Sequence, residues 1–173
     1  QGPLALLDGG IQAWRRQALP LPNASREAPI NNQSYRLNLQ PQIVISTEEM
    51  AQLKNGVVLI DVRSHWEWLQ GRIPGAVHID WIADLNDPVA RDYLDRIQFE
   101  QLMSKHGISN DTLVVFYGDK SNWWACYALW VFELFGHTSS AVMDGGRLKW
   151  EQEGRPMTRE VPSYEATAYR ATE

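Results

Sequence analysis

The residues best placed to do chemistry are Gly118-Asp119-Lys120-Ser121-Asn122-Trp123, which follow the apolar run Leu113-Val114-Val115-Phe116-Tyr117 and lead straight into a helical segment. In a strand-to-helix loop of this kind the backbone N–H groups converge on one point and the helix start adds its partial positive charge. Such a loop suits an anion or a thiolate, and hence sulfur or phosphoryl chemistry. The loop contains no cysteine, so the scaffold of such a site is expected here without its nucleophile. Lys120 could draw in an anion, although a solvated loop lysine is the commoner role.

The one thiol in the chain is Cys126, inside Trp123-Trp124-Ala125-Cys126-Tyr127-Ala128-Leu129-Trp130. That run is apolar on every side, which predicts a buried helix and a small, inert core cysteine. A single cysteine permits no intrachain disulfide and no thiolate zinc cage. The histidines His65, His78, His106 and His137 have no metal-ligand spacing, and surface and strand positions are expected for them. Neither a metal nor a cofactor is called for. Asp61, Arg63 and Glu67 suggest acid/base chemistry, yet a carboxylate at a strand end beside a helix start more often holds the turn by hydrogen bonds. A structural role is expected for these three. The eight tryptophans at helical spacing read as core and interdomain packing rather than as a ligand cage.

Short β-type runs alternate with helical signals, the pattern of a parallel sheet with helices on both faces. Strands are expected at 43–45, 57–60, 77–79, 113–117 and 141–143, and the continuous apolar run Val57-Val58-Leu59-Ile60 marks a central strand. Ser46-Thr47-Glu48-Glu49 and Ser64-His65-Trp66-Glu67 are capping boxes that start helices. Further helices are predicted over 98–106, over 123–135 and after Gly145-Gly146.

The 173 residues are 44% hydrophobic and 21% charged, the balance of a globular chain. A domain near 150 residues hides roughly 68–70% of its unfolded surface, enough for a sizeable core. The net charge of −5, with no clustered Lys/Arg face, argues against a general nucleic-acid binder but leaves room for a small-anion pocket. No apolar run approaches the length of a membrane span. Without a signal peptide in view the default location is cytoplasmic. The chain begins at Gln1 rather than at a methionine, which leaves any targeting segment of a parent protein upstream.

Asp8-Gly9-Gly10-Ile11-Gln12-Ala13-Trp14 recurs as Asp144-Gly145-Gly146-Arg147-Leu148-Lys149-Trp150. Pro20 answers Pro156, Arg26-Glu27-Ala28-Pro29 answers Arg159-Glu160-Val161-Pro162, and Tyr35-Arg36 answers Tyr169-Arg170. The period is about one domain. Residues 1–40 therefore read as the closing segment and linker of a preceding copy, 41–158 as one complete copy and 159–173 as its exit linker. The parent is expected to carry tandem domains.

Asp61-Val62-Arg63-Ser64-His65-Trp66-Glu67-Trp68 followed by Gly71-Arg72-Ile73-Pro74-Gly75-Ala76 resembles the opening signature of rhodanese domains, and Met143-Asp144-Gly145-Gly146 through Trp150 resembles the closing one. The resemblance implies an α/β fold, a doubly wound, parallel five-stranded sheet flanked by helices. A finer likeness, through Asp80-Trp81, Asp84-Leu85, Asp87-Pro88, Arg91-Asp92 and 117–125, is to the non-catalytic N-terminal half of tandem thiosulfate sulfurtransferases. Arg72 stands where the family usually has histidine and reads as a conservative change at a polar turn. Active members begin the loop with cysteine, have a small residue fourth and often arginine sixth. Here those places hold Gly118, Ser121 and Trp123, and a loop slipped by one would put Asp119 at the first. Neither Gly118 nor Asp119 can carry a sulfane sulfur, and this copy is expected to be silent.

The resemblance thus implies a sulfurtransferase parent, moving sulfur from thiosulfate or a persulfide to cyanide or a thiol through a cysteine in another copy. The implied partner is a neighbouring rhodanese domain of the same parent, met through the face around Lys120 and Trp123. The candidate ligand is a small sulfur oxyanion. A non-catalytic binding module for a protein or a small anion is the alternative. A rhodanese-fold phosphatase would need the missing loop cysteine and an arginine to close on phosphate.

Overall fold

Two continuous apolar runs set the centre of the molecule. In chain order the elements are β1 (Val44–Ile45), α1 (Thr47–Gln52), β2 (Val57–Asp61), α2 (His65–Gln70), β3 (Val77–His78), β4 (Asn86–Asp87), β5 (Asp92–Tyr93), α3 (Arg96–Lys105), β6 (Leu113–Tyr117), α4 (Trp123–Leu134), β7 (Ser140–Met143) and α5 (Gly146–Gln152). The computed structural model describes residues 43–53, 56–89 and 92–172. The segment 1–40, read above as the end of a preceding repeat, lies outside the described residues, as does Arg91.

The runs β2 and β6 pair in parallel from Val57 opposite Leu113 to Asp61 opposite Tyr117. Strand β7 flanks β6, β1 flanks β7 and β3 flanks β2, giving a parallel five-stranded sheet in the order β1-β7-β6-β2-β3. Alternate side chains of a strand point to opposite faces, and here they feed two cores. Val58, Ile60, Val114 and Phe116 pack with Phe99 and Met103 of α3 and with Ala125, Ala128, Val131 and Phe132 of α4. Leu59, Val115 and Tyr117 pack with Met50 of α1 and Trp150 of α5. The doubly wound α/β sheet expected from the alternation of runs is the fold of this domain.

The expected capping boxes start the expected helices. Ser46 Oγ accepts from the Glu49 N–H while Glu49 accepts from the Ser46 N–H, and Ser64 and Glu67 do the same at α2. Asp95 and Gln98 form a third box at α3, two residues ahead of the predicted start. The antiparallel ribbon of β4 and β5 was not legible in the sequence. Two-residue strands leave no periodicity to find. No helix among the described residues is long and apolar enough to cross a membrane.

Residues 159–172, read as an exit linker, lie along this domain. Thr158 bridges to Arg72, Thr167 bonds the carbonyls of Ser104 and Ile108, and Tyr169 is buried against Phe99 and His137. Burial, with the nearby charge of Glu100, pushes the Tyr169 hydroxyl up to about 12.

Candidate functional site

The central strand β6 ends in Tyr117, and the site is built from that end outward. The Tyr117 side chain is fully buried; its hydroxyl donates to Asp61 Oδ2 at 2.8 Å and accepts from the Ile73 N–H at 3.1 Å. Asp61, also fully buried, takes Arg63 Nε at 2.9 Å on Oδ1 and Arg63 Nη2 at 2.6 Å on Oδ2. Arg63 Nη2 further donates to the Gly71 carbonyl at 2.7 Å. Burial alone would lower the Arg63 pKa, but the hydrogen bonds and charge of Asp61 outweigh it and hold the guanidinium charged. Burial and the adjacent Asp61 carboxylate push the Tyr117 hydroxyl far above its ordinary range. Glu67 is the capping residue of α2, held below its usual range chiefly by the Ser64 hydroxyl. The three charged residues of the opening segment are thus hydrogen-bonded within the turn between β2 and α2.

Gly118 follows at the top of the central strand. It is buried, its N–H donates to Asn122 Oδ1 at 3.0 Å, and its carbonyl accepts from the Arg147 N–H at 3.1 Å. The Asn122 amide reaches on to the Met143 carbonyl at 2.6 Å, tying the loop to the end of β7. Lys120, Ser121 and Asn122 all have left-handed backbones, with φ of 52°, 56° and 62°. Each such non-glycine residue costs about 1–2 kcal/mol. The loop is therefore imposed by its surroundings rather than chosen by its sequence, and Asn122 and Arg147 are the residues that impose it.

The side chains sort into inward and outward sets. Asp119 turns into the cleft and pairs with Arg147, Oδ1 to Nε at 2.9 Å and Oδ2 to Nη2 at 3.3 Å, with Arg63 Nη1 3.9 Å away. Lys120, Ser121 and Trp123 are exposed. The cleft, about 670 Å³, is lined by the loop together with Glu67, Asp144, Gly145, Arg147 and Leu148. Its contents are a backbone loop and paired charges, and no sulfur atom stands at the end of β6. Reading the sequence did not single out Arg147. The available signal was its place directly after Gly145-Gly146, where the second turn must come back against the first, together with Glu151 one helical turn on.

Three expectations are corrected. Cys126 is exposed, not a core residue. Helix α4 is apolar all round, but the sheet covers only its Ala125, Ala128, Val131 and Phe132 side, and Trp123, Cys126, Trp130 and Leu134 face away. His137, expected on the surface or in a strand, is buried just after α4, with Tyr169 Oη 3.1 Å from Nδ1 and the Thr112 carbonyl 3.0 Å from Nε2. Desolvation holds it below the ordinary histidine range. Arg72, read as part of a polar turn, is 1% exposed, with its Cζ over the Trp68 ring 3.5 Å from the centroid and Nη2 donating to the Arg159 carbonyl. Among the described residues no three His, Cys, Asp or Glu side chains are grouped to hold a metal ion.

The model of the rhodanese-like domain matches residues 46–153. A protein of Saccharopolyspora erythraea described as a putative thiosulfate sulfurtransferase is 44% identical over 135 residues, 76% of this chain and 48% of that protein. The sulfur carrier protein TtuD of Thermus thermophilus is 57% identical over 99 residues, 57% of this chain and 35% of that protein. The chain thus spans less than half the length of these curated relatives. In fold it is similar to SseA from Escherichia coli, a 3-mercaptopyruvate sulfotransferase, with a TM-score of 0.69 at 20% identity over 76% of this chain and 55% of that one.

Proposed function

The chain belongs to the rhodanese-like, sulfurtransferase-type family, and we propose that it is the non-catalytic copy of a longer tandem enzyme whose catalytic cysteine lies in another domain. The parent moves sulfane sulfur from thiosulfate or a persulfide to cyanide or a thiol acceptor, and this copy braces the one that does so. In the same reading residues 1–40 close a preceding repeat. One observation carries the proposal: the loop at the end of the central strand starts with Gly118 and contains no thiol. Nucleophilic sulfur transfer needs a thiolate held in that cradle and exposed to the donor. Cys126 is displaced from it to the fourth position of α4, on the outward side.

The test is sulfur transfer from thiosulfate to cyanide by the 173-residue chain beside its full-length parent. The chain is expected to show no turnover above buffer, and Cys126→Ser to change nothing. Turnover that survives Cys126→Ser overturns the assignment of the loop. Turnover abolished by that substitution makes Cys126 the nucleophile and overturns the silent reading.

The bracing role is supported by the outward side of α4. Trp123 is 70% and Trp130 47% exposed, and Tyr93 meets the Trp130 ring edge-on at 5.7 Å. A contiguous aromatic strip of this kind marks an interaction surface. The partner we propose is the neighbouring domain of the parent, for which the relatives' greater length leaves room. In the isolated chain Trp123→Ala should shift stability by no more than about 0.5 kcal/mol, as for surface positions generally, and Trp130→Ala by about 0.5–1.5 kcal/mol for its lost contact with Tyr93. In the parent the same pair should lower sulfur transfer by about tenfold, the effect of losing one or two interface anchors of roughly 1–2 kcal/mol. Equal activity of the two parent enzymes counts against the surface.

A further inference from the structure

We propose that Asp119 is a built-in occupant of an anion site: its carboxylate fills the position between Arg147 and Arg63 in which a tetrahedral sulfur oxyanion would otherwise bind. The inference rests on the reading of this copy as silent, and adds how the cleft is kept empty of free ligand.

The geometry is that of recognition rather than chance proximity. Arg147 presents its Nε–Nη2 edge to the two carboxylate oxygens of Asp119, at 2.9 and 3.3 Å. That planar fork takes a carboxylate or two oxygens of a tetrahedral oxyanion in the same way. On the other side Arg63 has committed Nε to Asp61 and Nη2 to Asp61 and the Gly71 carbonyl. The nitrogen left facing the cleft is Nη1, 3.9 Å from Asp119 Oδ2.

Arg63 does not owe its position to Asp119, and Arg147 has a second anchor besides it. The backbone of Arg147 is tied to the Gly118 carbonyl and its Nη1 to Glu151 at 2.6 Å, while Arg63 is locked by the buried Asp61. Each arginine therefore keeps an anchor when the carboxylate is taken away. Space is available, since the 670 Å³ cleft around the loop is joined at Arg147, Asp119 and Glu67 by a second hollow of about 280 Å³ that Arg63 also lines. The carboxylates of Glu67 and Glu151 stay nearby and oppose an incoming anion, which keeps the opened site a weak one. With Asp119 present the same field, now one charge more negative, excludes it.

The experiment is calorimetric titration of the whole 173-residue chain with sulfate and with thiosulfate, at constant ionic strength maintained with chloride. The natural chain is expected to give no saturable heat, and Asp119→Ala to bind both anions at least about tenfold more tightly. Arg147→Ala added to Asp119→Ala should remove the gain. Asp119→Ser, which also vacates the position of the carboxylate, gives the same reading if the alanine variant does not fold. A purely structural ion pair predicts loss of stability in Asp119→Ala and Asp119→Ser without any gain in binding, and that result overturns the proposal. So does binding by the natural chain as tight as by the variants, or binding that survives loss of Arg147. None of these outcomes depends on turnover, so failure here is distinct from finding the loop active.

Discussion

Asp61→Ala is expected to lower the stability of this domain by about 3–5 kcal/mol, the cost of breaking a buried ion pair by deleting one partner. A domain of this size is stable by only about 5–15 kcal/mol, so the loss is about a fifth of the total or more. The cause is what remains behind. Arg63 is 5% exposed and would keep its charge with only Asp119, 3.9 Å from Nη1, to face it, and the Tyr117 hydroxyl would lose its acceptor. Asp61→Asn keeps one acceptor oxygen for Arg63 Nη2 and the Tyr117 hydroxyl but loses the charge and sets its NH2 against the other Arg63 donors, and should fall between Asp61→Ala and the natural chain. The triple change Asp61→Leu, Arg63→Met, Tyr117→Phe replaces the network with apolar groups and should recover most of the loss. Urea unfolding midpoints of the four chains measure this directly. A triple variant no better than Asp61→Ala would mean that the network holds the turn by its geometry rather than by cancelling buried charge.

That network also shows what was legible in the sequence. The strand Val57–Asp61 was readable because four apolar residues in a row fit a central strand buried on both faces, and Ser64 with Glu67 announced the helix that follows. The position of the loop was readable for the same reason, since an apolar run followed by a polar segment and a helix leaves one place for it. The hidden parts depend on contacts between segments distant in the chain. Arg147 meets Asp119 across 28 residues, and Tyr169 reaches Phe99 and His137 from beyond the last helix. Arg72 is buried because residues 158 and 159 cross over it. Cys126 was misplaced because hydrophobicity reports how apolar a helix is, not how many of its sides are covered. In α4 the uncovered side carries Trp123 and Trp130, which is the basis for assigning it a partner.

The loop is held from below by a turn that tolerates no side chain, and Gly146→Ala is therefore expected to cost about 2–5 kcal/mol. Gly146 has φ of +56°, and a Cβ placed there would lie 2.5 Å from the Gly118 carbonyl oxygen and 2.5 Å from Asn122 Oδ1. The left-handed backbone alone costs an alanine about 1–2 kcal/mol. The overlap adds about 1–3 kcal/mol, as for an added methyl in a packed core. The control is Gly56→Ala, where φ is +72° but nothing lies within 4 Å of the new Cβ. That variant should pay the backbone cost alone, so the difference between the two midpoints isolates the contact with the loop. The two atoms in the way are the Gly118 carbonyl that accepts from Arg147 and the Asn122 oxygen that accepts from Gly118. Relieving the overlap must therefore move the cradle itself, which ties the second glycine of the Asp-Gly-Gly turn to the loop it supports. Equal losses in Gly146→Ala and Gly56→Ala would show that the loop yields freely, and would remove the claim that Gly146 holds it in shape.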